Sequence, residues 1–311
     1  MFHKLFDGHP DLNQFTVDLS VFYAYFPCFT NSGQSSGALR ERLHRVLGKA
    51  LSEIEGETIP GGKHPFRCAY FINHVDEELV DKELEDRSCV LSALLKAFAH
   101  TNGLEHDKTW VVKETSQAVF ADNFMRTEPD LKMVNVARDP RDNYSALKAG
   151  VDKYYSALGE DEKKTLASLI NRARMDFLAA RVYERTRPER FLSVRFEDLV
   201  TEPENTMARV CDHSDIDYRQ ELTQPTLLGR SFEGNSHEGK RFSGISGENL
   251  GKWQERISEF EAKVIEFWLH DVMTQYGYSL HFPQEDAANA FSTFYEWYNC
   301  TYFFHDSFAR D

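Results

Sequence analysis

The chain has 311 residues, of which 41% are hydrophobic and 28% charged, the composition of a globular protein with a sizeable core. Its 36 Lys and Arg against 50 Asp and Glu give a formal net charge of −14, which disfavours nucleic acids and anionic membrane surfaces as partners. The five cysteines form no C-x-x-C pair, so we expect neither a disulfide framework nor a zinc site, and a reducing, cytoplasmic location. No apolar run is long enough to span a membrane.

The first third of the chain is dominated by predicted helices. Residues Met1–Phe6 read as the end of a helix that the following Asp-Gly pair closes. Leucines and valine at helical spacing predict a helix over 37–54, and another helix is predicted over 88–99. The apolar run Cys68–His74 is consistent with a short strand or an apolar loop.

Strands and helices alternate in the middle of the chain. Strands are predicted at 110–112, 131–137 and 191–196, and helices at 116–125, from Pro140 onward, at 160–187 and at 203–212. This alternation predicts a parallel sheet with helices on both faces, in which ligands bind beyond the carboxyl ends of the strands. Because Lys113, Arg138 and Glu197 each follow a strand, we expect them near a functional site.

The C-terminal third has three predicted segments. Residues 231–250 form a polar, glycine-rich loop that is long enough to suggest a function. A single helix is predicted over 253–276, and an aromatic-rich tail follows Pro283. We therefore divide the chain into a domain over 1–283 and a tail over 284–311.

The most informative motif surrounds Arg138. A strand ends at this arginine, Asp139 is suited to cap the next helix, and Pro140 is suited to start it. The guanidinium fork and the helix start together favour an anion site. An ion pair between Arg138 and Asp139 or Asp142 explains the same residues equally well.

The segment Arg138-Asp139-Pro140-Arg141, followed by a serine in the helix, resembles the 3′-phosphate-binding motif of PAPS-dependent sulfotransferases. Other segments resemble that family in the same order along the chain, namely Leu5–Leu12, Val111–Thr115, Leu192–Leu199, Gly234–Ser236, Gly251–Trp253 and Gly277-Tyr278. The resemblance implies a P-loop-NTPase-like three-layer α/β sandwich with a central parallel sheet and helices on both faces. It also implies transfer of a sulfuryl group from PAPS to a hydroxyl or amine, with PAP as product and no metal.

The resemblance assigns roles to particular side chains. Arg138 and Ser145 would bind the 3′-phosphate, although Ser145 lies one position before the family's serine. Lys113 would stabilise the leaving phosphate and Asp18 would take the proton of the acceptor; a surface lysine and a solvated or helix-capping carboxylate are the alternatives. The nucleotide-binding residues expected in the C-terminal loop are Ser236, Lys240 and Arg241.

One family element is missing from the sequence. The 5′-phosphosulfate loop would precede the helix that ends at His9-Pro10, so we expect this chain to lack it, through truncation or through loss of donor activation. A non-catalytic sulfotransferase-like binding protein is therefore an alternative, with the aromatic tail as its contact surface. A nucleotide kinase is a weaker one, because no Walker A motif is present. The acceptor (carbohydrate, lipid or small molecule) and a homo-oligomeric state are left open.

Overall fold

The computed structural model of the chain describes residues 1–19, 21–26, 30–114, 118–150, 162–235 and 241–302. These residues form two compact units. The first comprises Met1–Met133, Met207–Gly234 and Ser243–Ile245, and the second comprises Val134–Thr206, Asn235–Phe242 and the chain from Ser246 onward.

The first unit is largely helical, with one pair of parallel strands. Its N-terminal elements are a 3-10 helix (Phe2–Phe6), β1 (Leu12–Gln14), a π-helical turn (Val21–Tyr25), α1 (Ser36–Leu51), α2 (Cys68–Glu78), α3 (Arg87–Asn102), β2 (Thr109–Val111) and α4 (Ala121–Thr127). Strand β1 pairs in parallel with β2, so that Leu12 lies opposite Thr109 and Gln14 opposite Val111. Phe15, directly after β1, packs on Phe98 of α3 with ring centroids 4.6 Å apart.

In the second unit, strands and helices alternate between Met133 and Thr206. They are β3 (Met133–Ala137), α5 (Pro140–Ala149), α6 (Glu162–Thr186), β4 (Phe191–Arg195), α7 (Phe196–Thr201) and the start of α8 (Pro203–Ser214). Strand β3 pairs with β4. Two short strand pairs follow α8 in sequence. Strand β5 (Thr226–Leu227) pairs with β6 (Arg230–Ser231), both in the first unit, and β7 (Glu233–Asn235) pairs with β8 (Arg241–Ser243).

The mixed α/β class expected from the sequence is confirmed. Every sheet within the described residues has two strands, whereas the alternation predicts one parallel sheet that contains the strands at 110–112, 131–137 and 191–196. The predicted helices around α1, α3, α5 and α6 are present within a few residues of their expected bounds.

The prediction for Cys68–His74 was wrong, because this run belongs to helix α2. Phe71 and Val75, four positions apart, are fully buried, and both belong to the core cluster of the first unit. This spacing matches one face of a helix, and the burial of that face outweighs the strand propensity of the neighbouring aromatic and branched residues.

The single helix expected over 253–276 is divided into three, α9 (Trp253–Arg256), α10 (Glu259–Trp268) and α11 (His270–Gln275). The first division occurs at Ser258, whose hydroxyl accepts the N–H of Glu261 while the Glu261 carboxylate accepts the N–H of Ser258. This capping box satisfies two backbone donors and starts a new helix there.

The aromatic-rich tail begins with helix α12 (Gln284–Tyr302). Phe291 stacks on Trp268 of α10 with ring centroids 5.0 Å apart, and Phe294 is buried. The aromatic face of this helix is therefore part of the core of the second unit, and residues 303–311 lie outside the described part of the chain. Among the helices described, none combines the length and the apolar character needed to cross a bilayer.

Candidate functional site

The junction between β3 and α5 is built as the sequence predicts. Arg138 follows the last residue of β3, and the Asp139 carboxylate caps the helix by accepting the N–H of Arg141 at 2.9 Å. Pro140 occupies the first turn, where its missing N–H costs nothing. The Asn143 N–H donates to the carbonyl of Asp139 at 2.9 Å. Pro140 has no N–H and the N–H of Arg141 is bound to Asp139, so the first two positions of α5 offer no free N–H to an anion.

Asp139 is held by a buried arginine other than Arg138. Arg141, only 2% exposed, donates from Nε and Nη2 to the two carboxylate oxygens of Asp139 at 3.0 and 2.6 Å. Its Nη1 donates to Glu266 at 2.5 Å, and its guanidinium carbon lies 4.4 Å from the ring centroid of Trp253. A bidentate pair of this kind fixes the orientation of Asp139.

Asp142 likewise has other donors. Its two carboxylate oxygens accept the backbone N–H groups of Gly251 at 2.7 Å and Trp253 at 2.9 Å. Neither Asp139 nor Asp142 forms an ion pair with Arg138. The alternative interpretation of Arg138, as the partner of one of these aspartates, is therefore not what the structure contains.

Glu197, the third nearby carboxylate, binds the backbone. Its Oε1 accepts the N–H of Asp139 at 2.9 Å and its Oε2 accepts the Tyr278 hydroxyl at 3.1 Å. Burial raises the pKa of Glu197, while these donors act in the opposite direction. Glu197, which follows strand β4, therefore binds a backbone N–H group and a tyrosine hydroxyl.

The guanidinium of Arg138 uses few of its hydrogen-bond donors. Its Nη2 donates to the carbonyl of Asn249 at 3.5 Å, its guanidinium lies 4.9 Å from the centroid of the Phe196 ring, and its Nε is buried and donates no hydrogen bond. Burial lowers the pKa of Arg138, although Asp142, Glu197 and Asp139 favour its charge. Because a guanidinium stays protonated in proteins, this is a charge with unused donor capacity, as an anion site requires.

Ser145 is the other residue assigned to the phosphate. It lies in the second turn of α5, is 2% exposed, and its hydroxyl is buried without a hydrogen-bond partner. A buried hydroxyl left unpaired destabilises the protein by about 1–3 kcal/mol. Arg138 and Ser145 thus each have a buried donor without a hydrogen-bond partner.

Lys113 and Asp18 lie together in the first unit. Lys113 follows β2, and its ammonium forms an ion pair with Asp18 Oδ2. The side chains are 46% and 33% exposed, so each is partly open to solvent. The two residues that the sequence analysis assigns to the chemical step are therefore neighbours and form a partly exposed ion pair.

Glu114, the next residue after Lys113, was not identified by the sequence reasoning. Its Oε1 accepts the N–H of Phe22 at 3.0 Å, and its Oε2 is buried without a hydrogen-bond partner. Burial raises the pKa of Glu114 to about 7, and the negative charge of Asp18 acts in the same direction. An acidic residue directly after a strand-end lysine was the signal that could have revealed it.

The remaining predicted residues belong to the C-terminal loop. Ser236 and Lys240 lie outside the described residues, and Arg241 begins strand β8. Arg256 is a further cation that the sequence reasoning missed; its Nη2 donates to the side chain of Asn249 at 3.3 Å, and Asn249 also binds Arg138 through its carbonyl. In the described residues no three His, Cys, Asp or Glu side chains are grouped to hold a metal ion.

The chain is similar to known proteins in structure and in sequence pattern. The sulfotransferase domain from the curacin biosynthetic pathway has a similar fold, with a TM-score of 0.54 and 16% identity over 90% of this chain and 93% of that one. The sulfotransferase domain from the Synechococcus PCC 7002 olefin synthase gives a TM-score of 0.51 and 15% identity over 90% of each chain. No curated protein is significantly similar in sequence. The sequence pattern of the sulfotransferase family matches residues 31–220, which include Lys113, Arg138 and Ser145, and the chain therefore belongs to the sulfotransferase family.

Proposed function

We propose that this chain transfers a sulfuryl group from PAPS to a hydroxyl or amine of an acceptor, with PAP as the second product. Membership of the sulfotransferase family supports the class of reaction, and the two solved sulfotransferase domains support a P-loop-like three-layer sandwich. The observation that carries the proposal is the state of Arg138. Its Nε is buried and unpaired, while the carboxylates around it are bound to other donors.

Arg138 and Ser145 are the residues that fit a phosphate. Their buried donors match the oxygens of a phosphate group, which accepts a guanidinium fork and a hydroxyl together. Arg141 and Glu197 contribute indirectly, because they hold Asp139 from its side chain and from its backbone and so keep its carboxylate away from Arg138. In this proposal Ser236, Lys240 and Arg241 complete the nucleotide contact from the C-terminal loop.

Lys113 and Asp18 fit the chemical step. PAPS supplies, when bound, a sulfur–oxygen bond that is weakened by the attached phosphate. Asp18 accepts the proton that the acceptor hydroxyl or amine loses as its bond to sulfur forms. Lys113 stabilises the negative charge that remains on the phosphate oxygen when the old bond breaks. Catalysis then depends mainly on positioning and electrostatics, as in phosphoryl transfer.

The proposal is tested by calorimetry with PAP and with adenosine 5′-monophosphate, which lacks the 3′-phosphate. Arg138→Met should weaken PAP binding by about 10- to 100-fold, since a hydrogen bond to a charged group contributes about 1.5–3 kcal/mol. It should also remove the preference for PAP over the monophosphate.

The matched control is Arg174→Met, which removes an arginine of α6 that contacts Asp271 in the same unit. We expect its PAP affinity to equal that of the wild type. A folded wild-type protein that does not bind PAP at millimolar concentration would contradict the donor assignment, and so would an Arg138→Met variant with unchanged affinity.

A further inference from the structure

The chain segment that carries Asp18 runs beside the end of β2. The N–H of Phe15 donates to the carbonyl of Val111 at 3.0 Å, and the N–H of Leu19 donates to the carbonyl of Lys113, also at 3.0 Å. These backbone bonds place Asp18 next to the Lys113 ammonium, with which it forms an ion pair. The geometry of the Lys113–Asp18 pair therefore depends on what holds the chain directly after Asp18, where the turn at Val21 begins.

Glu114 provides that anchor. Its carboxylate accepts the N–H of Phe22, the second residue of the π-helical turn Val21–Tyr25, at 3.0 Å. The first N–H groups of a helical turn have no partner within the turn, so an external carboxylate satisfies one of them. Val21 and Phe22 are buried, which leaves little freedom for the turn to shift.

We propose that Glu114 is a positioning residue for the Lys113–Asp18 pair: it anchors the turn that follows Asp18 and, when ionised, offers Lys113 a second carboxylate. This inference rests on the proposed function, because it takes the pair as the reacting groups of the transferase. As Asp18 accepts the proton of the acceptor, its hold on Lys113 weakens. The charge of Glu114 then keeps the ammonium in place.

The electrostatic surroundings support this role. The charged groups that act on Glu114 are Asp18 and Lys113, and burial together with Asp18 raises its pKa to about 7, against the N–H donors and Lys113. The charge of Lys113 in turn lowers the pKa values of Lys4, His3 and the amino group of Met1. Burial lowers the pKa of His3 to about 3, so this residue stays neutral near pH 7.

The Met1 amino group needs a control of its own. Burial lowers its pKa to about 6, which is close to the range in which Glu114 changes charge. A pH-dependent change measured at Lys113 could therefore arise from the Met1 amino group or from Glu114, and substitution of Glu114 distinguishes the two. A neutral amide at position 114 still accepts the N–H of Phe22 and removes the charge alone, so Glu114→Gln separates the electrostatic role from anchoring.

The test uses NMR of the protein after reductive ¹³C-methylation of its lysines, which keeps their charge, with Lys113→Arg to assign the Lys113 signal. In the wild type this signal should shift with a midpoint of about pH 7. The shift should be lost in Glu114→Gln and kept in Asp18→Asn. An identical titration in wild type and Glu114→Gln would overturn the proposal, and so would a wild-type signal that does not titrate near pH 7.

One further variant and one further measurement keep the test decisive. Glu114→Asp retains the charge with a shorter side chain, so a titration should persist there if Glu114→Gln does not fold. PAP calorimetry on Glu114→Gln should give wild-type affinity, since Arg138 and not Glu114 is assigned to the phosphate. Failure of PAP binding in the wild type would refute the donor assignment, while the Lys113 titration would still report on Glu114, so the two failures are distinguishable.

Discussion

The buried cluster around Arg141 allows a quantitative prediction for the variant Arg141→Met. Methionine fills much of the same volume but leaves the Glu266 carboxylate, 2% exposed, without its charged partner. Removal of one partner from a buried ion pair destabilises a protein by about 3–5 kcal/mol. Glu266 retains the N–H groups of His281 at 3.0 Å and Phe282 at 3.2 Å, so we expect a loss near the lower limit, about 3 kcal/mol.

Urea unfolding at pH 7, followed by circular dichroism, measures this loss as a change in the transition midpoint. The matched control is Arg174→Met in the same unit, because Arg174 and its partner Asp271 are 32% and 47% exposed. An exposed pair of this kind contributes about 0–1 kcal/mol. If Arg141→Met destabilises the protein no more than Arg174→Met, the cluster does not hold this unit together in the way described.

The double variant Arg141→Met, Glu266→Met provides the second criterion. Because it removes both charges, it should be destabilised by less than the sum of the two single variants, with a coupling free energy of about 1–3 kcal/mol. Strict additivity would refute the reasoning. The single variant Arg141→Met should also bind PAP more weakly while folded, since Asp139 loses its bidentate partner and becomes available to Arg138.

Two other predictions concern the first unit. Burial raises the pKa of Glu114 from 4.5 to about 7, so the folded state binds the proton more tightly and the free energy of unfolding should fall as pH rises through this range. Glu114→Gln should remove a pH dependence of about 2.5 kcal/mol between pH 5 and pH 8, measured by urea unfolding; parallel curves for the two proteins would contradict this. Gly103→Ala should destabilise by at least about 1–2 kcal/mol, because this residue ends α3 with φ of 67° and an added Cβ would lie 3.1 Å from His64. Gly37→Ala, in open space within α1, should leave the melting temperature unchanged or raise it, and the reverse order of the two variants would refute the assignment.

Local sequence signals predicted the elements whose determinants are local. Helix α1 follows from leucines at helical spacing, and α5 follows from the Asp139 cap and Pro140. Helix α2 was missed because its aromatic and branched residues favour a strand, whereas burial of Phe71 and Val75 in the core of the first unit decides its structure. The capping box at Ser258 was present in the sequence and could have been used to divide the helix predicted over 253–276.

The candidate site could be located from the sequence, but the hydrogen-bond partners of its side chains could not be predicted. The motif around Arg138 marks the strand end that the structure also contains. Asp142 does not pair with Arg138 because it accepts the N–H groups of Gly251 and Trp253. These two residues follow Asp142 by 109 and 111 positions in the chain. The role of Glu114 depends in the same way on Phe22, 92 residues earlier in the chain. Such long-range contacts leave no periodic signal in one sequence.

Trp253 gives the second unit a natural optical reporter. Its backbone N–H binds Asp142, its indole lies against the Arg141 guanidinium, and the His281 ring is 5.0 Å away. Indole emission responds to nearby charges, so an event that moves the first turn of α5 should change the fluorescence of this residue. Nucleotide binding could then be followed in the unlabelled protein, with Trp253→Phe as the blank.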